Sequence, residues 1–500
     1  MIFSSYIFIF AFLPVMLVGF YGLRYFNLHR GANVFLVLGS LFFYAFWNVL
    51  YLPILMGSIV VNYVIAKVIL KSSGGGGGTK YCLTSGIVFN LGLLGFFKYT
   101  DFFLENFNLL SQVLNLDFEI PLPHIVLPLA ISFFTFQQIA FLVDCYKKID
   151  VADLQEESRE IDFVDYCLFI TFFPQLIAGP IVHHKEMMPQ FKANENQKLI
   201  DSVMIAKGMF IFSIGLFKKV YVADSFAKWA NNGFSIVESG KILNFFESWA
   251  TSLSYTFQLY FDFSGYCDMA IGLGLLFGIM LPINFNSPYK ALNIADFWRR
   301  WHITLGRFLR DYLYIPLGGN RLGKWLTLRN LFVVAFLSGI WHGAGFGFII
   351  WGSLHGVAMV IHRVYSGFVE QWRFRESRIY KIFCWFLTFN FVNLSWIFFR
   401  SENLSGAINL LKGMFGVVWV ELPEKATRIP RLLEGIGGRN DTVFFVVISF
   451  IIVLFCSNSI QKLETFRLDF KNMIIAALCL YIALFTMAVT PYVEFIYFNF

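Results

Sequence analysis

The sequence predicts an all-α, polytopic membrane bundle of about 11–13 helices, with re-entrant and interfacial segments. Three observations carry this reading. The 500 residues are 57% hydrophobic and only 14% charged, against about 45–50% and about 25% in a soluble domain. Apolar runs long enough to cross a bilayer follow one another from end to end. The longest polar stretches between them, near 147–163, 183–201 and 421–441, are loop-sized. One integral-membrane domain over 1–500 follows, with N-terminal helices over 1–145, a core over about 165–400 and C-terminal helices over 440–492.

Candidate spans lie near 3–20, 33–50, 53–70, 81–98, 125–143, 203–221, 248–261, 266–282, 330–347, 349–364, 380–399, 442–456 and 472–490. The first lacks the basic start and small-residue cleavage site of a signal peptide, so it reads as a retained helix. Phe169 to Val182 is apolar but holds Pro174, Gly179 and Pro180. It reads as a re-entrant or broken helix, which is tolerated at membrane depth only inside protein or beside a water-filled cavity. Arg24, Arg30, Lys71, Lys80, Lys147 and Lys148 fall in loops on either side of 99–124, which carries Asp101, Glu105, Asp117 and Glu119 and no basic residue. That alternation puts the N-terminus outside and the basic loops in the cytoplasm. It also accounts for the net charge of +7 without nucleic acid. Gly74 to Gly78 reads as a flexible linker, since no G-K-[ST] follows it.

The segment 290–329 is the most basic, with Lys290, Arg299, Arg300, Arg307, Arg310, Arg321, Lys324 and Arg329 against Asp296 and Asp311. Within it Trp298, Trp301, Leu305, Phe308 and Tyr312 recur at helical spacing, which predicts an interfacial helix lying apolar side down. Its cations anchor the chain at the cytoplasmic face. Anchoring alone is one reading; the other is that Arg299, Arg300, Arg307 and Arg310 make a funnel for a phosphate-bearing anionic donor, because guanidinium matches phosphate geometry.

His342 lies in an uncharged run from Leu337 to Leu354, and an ionisable residue at membrane depth points to function. Two readings stand: a packing histidine bonded to a neighbouring helix, or a neutral general base that takes a proton from an attacking hydroxyl. Gly339, Gly343 and Gly345 leave room there for a substrate or a close helix. His302, in Phe297 to His302 (FWRRWH), reads as a solvated interface residue or as a second catalytic or donor-binding group. Asp262 and Asp268 read as helix-tethering acceptors ahead of a proton relay. His183 and His184 read as loop residues at the cytoplasmic mouth, and His29, His124, His355 and His362 carry no assignment. The seven cysteines stand singly, with no disulfide framework and no metal site. No G-x-S-x-G, Walker or H-E-x-x-H motif occurs.

Six segments in order resemble the membrane-bound O-acyltransferase family. They are Phe172 to Ile181 (FFPQLIAGPI), Tyr260 to Gly272 (YFDFSGYCDMAIG), Asn284 to Tyr289 (NFNSPY) leading into Asp296 to His302, Tyr314 to Asn320 (YIPLGGN), Gly339 to Gly343 (GIWHG) and Trp396 to Arg400 (WIFFR). Within it the chain is most similar to the bacterial branch of alginate and peptidoglycan O-acetylation membrane subunits. The resemblance implies helices around a central tunnel and transfer of an acyl group, acetyl in this branch, from a cytoplasmic acetyl-CoA donor across the membrane. The family's invariant histidine maps to His342 and its second to His302. No cofactor is bound in such proteins. The expected partners are membrane lipid, a periplasmic SGNH-type O-acetyltransferase and a polysaccharide acceptor, and the expected place is the bacterial inner membrane. D-alanyl transfer to teichoic acid and long-chain lipid or protein O-acylation remain alternatives. A polysaccharide transporter is the non-enzyme alternative, and the lack of a visible internal repeat weighs against it.

Overall fold

The computed structural model of the chain describes residues 1–72, 77–116, 118–147, 161–193, 201–369, 373–420, 426–491 and 493–496. Among these every regular element is helical and no strand forms. Six helical stretches are long and apolar enough to cross a membrane: Phe8–Tyr25, Val49–Lys71, Gly77–Val113, Phe346–Val369, Arg378–Arg400 and Phe470–Val489. Two compact units emerge, Met1–Phe212 with Met269–Pro282, and Ser213–Asp268 with Ile283–Phe500.

The first unit holds α1 (Leu13–Tyr25), α2 (His29–Ala45), α3 (Leu52–Lys71), α4 (Gly77–Val113), α5 (Ile131–Lys147), α6 (Phe163–Thr171), α7 (Phe173–Leu176) and α8 (His184–Ala193), and most of α9 (Ser202–Phe217). Buried amides tie α3, α4 and α5 together. Asn90 Nδ2 donates to Asn62 Oδ1 at 2.6 Å, Asn62 Nδ2 donates to Gln138 Oε1, and Ser58 Oγ donates to the same oxygen at 2.8 Å. Such bonds supply the attraction between helices that apolar surface cannot supply in lipid.

The break expected within 169–182 is present. Asp162 caps α6 by accepting from Val164 and Asp165 N–H. Phe172 then leaves helical geometry (φ −46°, ψ 107°) and α7 restarts with Pro174 in its first turn. The backbone groups freed by the break find partners: Phe173 N–H donates to Ser40 Oγ at 3.1 Å and Gln175 Nε2 donates to Phe169 O at 2.6 Å. The whole stretch is buried, as broken backbone at membrane depth requires.

Three expectations in this unit need correction. The acidic segment is helical as far as Val113, because α4 runs on through Asp101 and Glu105. Gly77 and Gly78 begin α4 rather than belonging to a linker; Gly74 to Gly76, Asp117 and Lys148 lie outside the described residues. His183 and His184 do not face solvent but are buried, with Nδ1 atoms 4.0 and 3.5 Å from Asp144 Oδ2. A carboxylate 40 residues earlier draws them inward.

The second unit opens with a π-helical turn, Lys218–Ala223. It continues through α10 (Asp224–Glu238), α11 (Phe245–Leu276) as far as Asp268, α12 (Ile294–Arg300), α13 (Ile303–Leu309), α14 (Lys324–His342), α15 (Phe346–Val369), α16 (Arg378–Arg400), α17 (Leu404–Met414), α18 (Asn440–Phe455), α19 (Ser459–Glu464) and α20 (Phe470–Val489). The two spans expected at 248–261 and 266–282 are one helix, α11. Asp262 and Asp268 need no loop because they are paired in place. Lys218 Nζ lies 2.7 Å from Asp268 Oδ2, and Lys219 Nζ lies 3.1 Å from Asp262 Oδ1 and 2.7 Å from Asp224 Oδ1. Ser459 Oγ donates to Asp268 at 2.8 Å, and Ile496 N–H donates to Asp262 at 2.9 Å. Both aspartates therefore tether elements of the unit.

A buried ion pair that loses one member leaves an uncompensated charge, at about 3–5 kcal/mol. Lys218→Met alone is expected to cost about that much in thermal unfolding of the detergent-solubilised chain, and Lys218→Met with Asp268→Leu to recover most of it. An unchanged melting temperature in the single variant would show that the pair tethers nothing.

Candidate functional site

The site is built where α14 ends against α15. A Cβ on Gly339 would fall 2.5 Å from Phe348 O and 2.8 Å from Gly352 Cα, and one on Gly352 would fall 2.9 Å from Ala335 O. Only glycine at both places lets the two backbones touch, as small residues do where membrane helices meet. Gly343 is filled in the same way by the Phe348 ring. The room expected around His342 is thus used by a close helix at Gly339 and Gly343.

His342 is the last residue of α14 and is buried. Aromatic rings enclose it: Trp341, Trp351 and Phe399 have centroids 4.8, 5.2 and 5.2 Å from its own. His302 also approaches Trp341, at 6.5 Å between centroids. The two histidines singled out from the sequence, 40 residues apart, therefore share one indole neighbour.

His302 is not on the surface of an interfacial helix. A continuous helix through 298–312 does not form; α12 ends at Arg300 and α13 begins at Ile303, with His302 between them at φ 46°. The left-handed conformation is uncommon for a residue with a Cβ. It is held by the extended segment before α12: Asn286 N–H donates to Arg300 O at 2.9 Å and Ile303 N–H donates to Asn284 O at 3.0 Å. The turn drives Trp301 and His302 inward, each 1% exposed.

Asn284 determines which His302 nitrogen carries the proton. Thr304 N–H, which can only donate, points at Asn284 Oδ1 from 3.2 Å, and His302 Nδ1 lies 3.1 Å from that same oxygen. Nδ1 must therefore bear the hydrogen, which leaves Nε2 as the proton-accepting atom of the neutral ring. Burial pushes the imidazole pKa down to about 3, so the ring is neutral at pH 7.

His355, unassigned from the sequence, is a third buried imidazole of this cluster, 4.8 Å from Trp351 between centroids. Both its nitrogens are committed. Trp298 Nε1–H donates to Nδ1 at 3.2 Å, Nε2–H donates to Ser395 Oγ at 3.0 Å, and Ser395 donates onward to Val392 O at 2.8 Å. This histidine links Trp298 to Ser395 and packs against Trp351.

A cavity of about 670 Å³ opens beside the histidines. Its wall includes Arg299, Arg307 and Arg310 together with Ile303 and Ser338, the neighbours of His302 and His342, whose own rings are not among the wall residues. Arg300 points elsewhere: its Nε donates to Asp296 Oδ2 at 3.0 Å and its Nη1 to Asn286 O at 3.4 Å. Arg310 is bidentate to Asp311 at 2.7 and 3.0 Å. Ser338 went unnoticed in the sequence although it precedes His342 by one helical turn. Asn284 opens one of the family-like segments, but the sequence assigns it no role because its partner lies 18 residues away.

Residues 149–408 match the model of the membrane-bound O-acyltransferase family. A peptidoglycan O-acetyltransferase of Helicobacter pylori is 49% identical, over 100% of this chain and 98% of its own. A probable alginate O-acetylase of Pseudomonas aeruginosa is 39% identical over 85% of this chain and 76% of its own. A teichoic acid D-alanyltransferase of Bacillus subtilis is 27% identical over 55% and 69%.

The glycine contact generates a paired test. Gly339→Ala drives a Cβ into fixed backbone and is expected to cost about 1–3 kcal/mol. In Gly345→Ala the nearest atom would be 3.6 Å away, so the change should stay within about 0.5 kcal/mol. Thermal unfolding of the two purified variants checks this, and equal stabilities would contradict the described packing.

Proposed function

The chain belongs to the membrane-bound O-acyltransferase family, and from that premise we propose that it moves an acetyl group from acetyl-CoA at the cytoplasmic face of the bacterial inner membrane toward an extracytoplasmic polysaccharide. It is an O-acyltransferase and a multi-pass membrane protein. Peptidoglycan is the favoured acceptor, since the relative named for it matches over the full length of both chains. An alginate-like polymer is the second reading, supported by the relatives named for alginate.

One observation carries the proposal: two buried imidazoles, His302 and His342, both pack near Trp341, and their neighbours Ile303 and Ser338 line a cavity walled by arginines. In this reading Arg299, Arg307 and Arg310 hold the donor's phosphates, with Arg300 and Asp296 stiffening that wall. His342 accepts the proton of the attacking hydroxyl as its oxygen adds to the thioester carbonyl. The C–S bond then breaks, an ester forms, and the thiolate leaves and is protonated. His302, with Nε2 as acceptor, serves as the second proton-handling group. A positioned base is worth about 10²–10⁴-fold in rate, and the remainder comes from orientation of the two substrates. An SGNH-type partner outside the membrane would receive the acetyl group and complete delivery to the polymer. The N-terminus is then extracytoplasmic, a reading supported by the alternation of basic and acidic segments in the sequence.

In a deletion strain, O-acetyl groups on peptidoglycan should disappear, return with the wild-type chain and stay absent with His342→Ala. Acetylation restored by the alanine variant would remove His342 as the base, and loss of exported polymer with its acetylation intact would favour a transporter. Asn284→Leu deletes the bond that sets the His302 tautomer and should lower kcat about tenfold with little change in KM for acetyl-CoA. A raised KM with unchanged kcat would make Asn284 a binding residue only.

A further inference from the structure

A second cavity, of about 840 Å³, opens in the same unit and takes no part in the chemistry above. Arg321 and Lys324 at the start of α14, Arg363 near the end of α15, and Arg375 line it. Among the described residues these four cations form no ion pair, in contrast to Arg300 and Arg310, which Asp296 and Asp311 hold. Glu376, beside Arg375, makes none either. The N-terminus of α14 adds its own positive field to the hollow. Thr327 and Ser366 add hydroxyls.

The surroundings are unlike those of a site for a water-soluble anion. Phe368, a wall residue, is 74% exposed, and three large apolar neighbours of wall residues are also bare: Leu322 at 59%, Trp325 at 85% and Phe374 at 57%. Exposed tryptophan and phenylalanine around a cluster of unneutralised arginines is the pattern of a headgroup-level membrane interface. Lipid tails cover the apolar rim there and the cations meet the anionic headgroup. We propose that this hollow holds the phosphate of an anionic phospholipid, with Arg363 and Arg375 as the principal contacts, Arg321 and Lys324 beside them, and Trp325 and Phe368 against the acyl chains. The proposal stands on this pocket alone and is independent of the acyltransferase reading.

Native mass spectrometry of the intact, detergent-solubilised chain tests it, with phosphatidylglycerol and phosphatidylcholine as probes. The wild-type chain should retain phosphatidylglycerol in preference to phosphatidylcholine. Arg363→Gln with Arg375→Gln should weaken phosphatidylglycerol about tenfold or more and leave phosphatidylcholine unchanged. Millimolar coenzyme A should not displace the lipid. Lys324→Gln, a single exposed change, should weaken it in the same direction if the double variant fails to elute as a folded species. Equal retention of the two lipids by the wild-type chain, or unaltered phosphatidylglycerol binding in the variants, would overturn the proposal. Displacement by coenzyme A would also overturn it and assign the hollow to a soluble phosphate ligand.

Discussion

The backbone contact between Gly339 and Gly352 is the constraint on which the rest of the site depends. Helices with side chains at those places would stand further apart. With none, α14 and α15 touch, and the last turn of α14 is fixed beside the first turns of α15. That places the ring of Trp351 on His342 and brings Phe348 into the space left by Gly343. An imidazole at the buried end of α14 is then confined by aromatic rings rather than dissolved in water.

Three imidazoles share this aromatic cluster, and their surroundings give them different work. His355 has both nitrogens engaged and can only brace its neighbours. His302 has one nitrogen fixed by Asn284, whose own orientation is fixed by a backbone N–H, so its tautomer follows from the fold. His342 meets rings on three sides, and its neighbour one turn earlier, Ser338, reaches the arginine-walled cavity. The strained turn at His302 fits this arrangement. A left-handed residue costs free energy, and the extended segment Asn284 to Asn286 offsets it with two backbone hydrogen bonds.

Much of this was legible in the sequence, and the exceptions have physical causes. His342 stood out because no other ionisable group shares its apolar run. The break near Pro174 was legible because proline and glycine act locally. The turn at His302 was not: Trp298, Trp301, Leu305, Phe308 and Tyr312 keep helical spacing, and periodicity carries no signal of a single left-handed residue imposed by a distant strand of chain. Asp262 and Asp268 divided one helix into two on paper, because the lysines that neutralise them come from a turn some 45 residues earlier. His183 and His184 looked like loop residues for the same reason, since Asp144 draws them in. These three misses involve a polar residue whose partner is remote, which local pattern does not report, whereas the run-on of α4 through Gly77 and Asp101 shows a helix continuing past residues that favour loops.

The account stands or falls on His342 acting as a base within reach of a thioester. Release of coenzyme A from acetyl-CoA, followed in the purified chain in lipid nanodiscs with a glycan acceptor, measures this most directly. Replacing His342 by glutamine should slow release by about 10²-fold or more while acetyl-CoA still binds. Release at the wild-type rate in that variant would contradict the account.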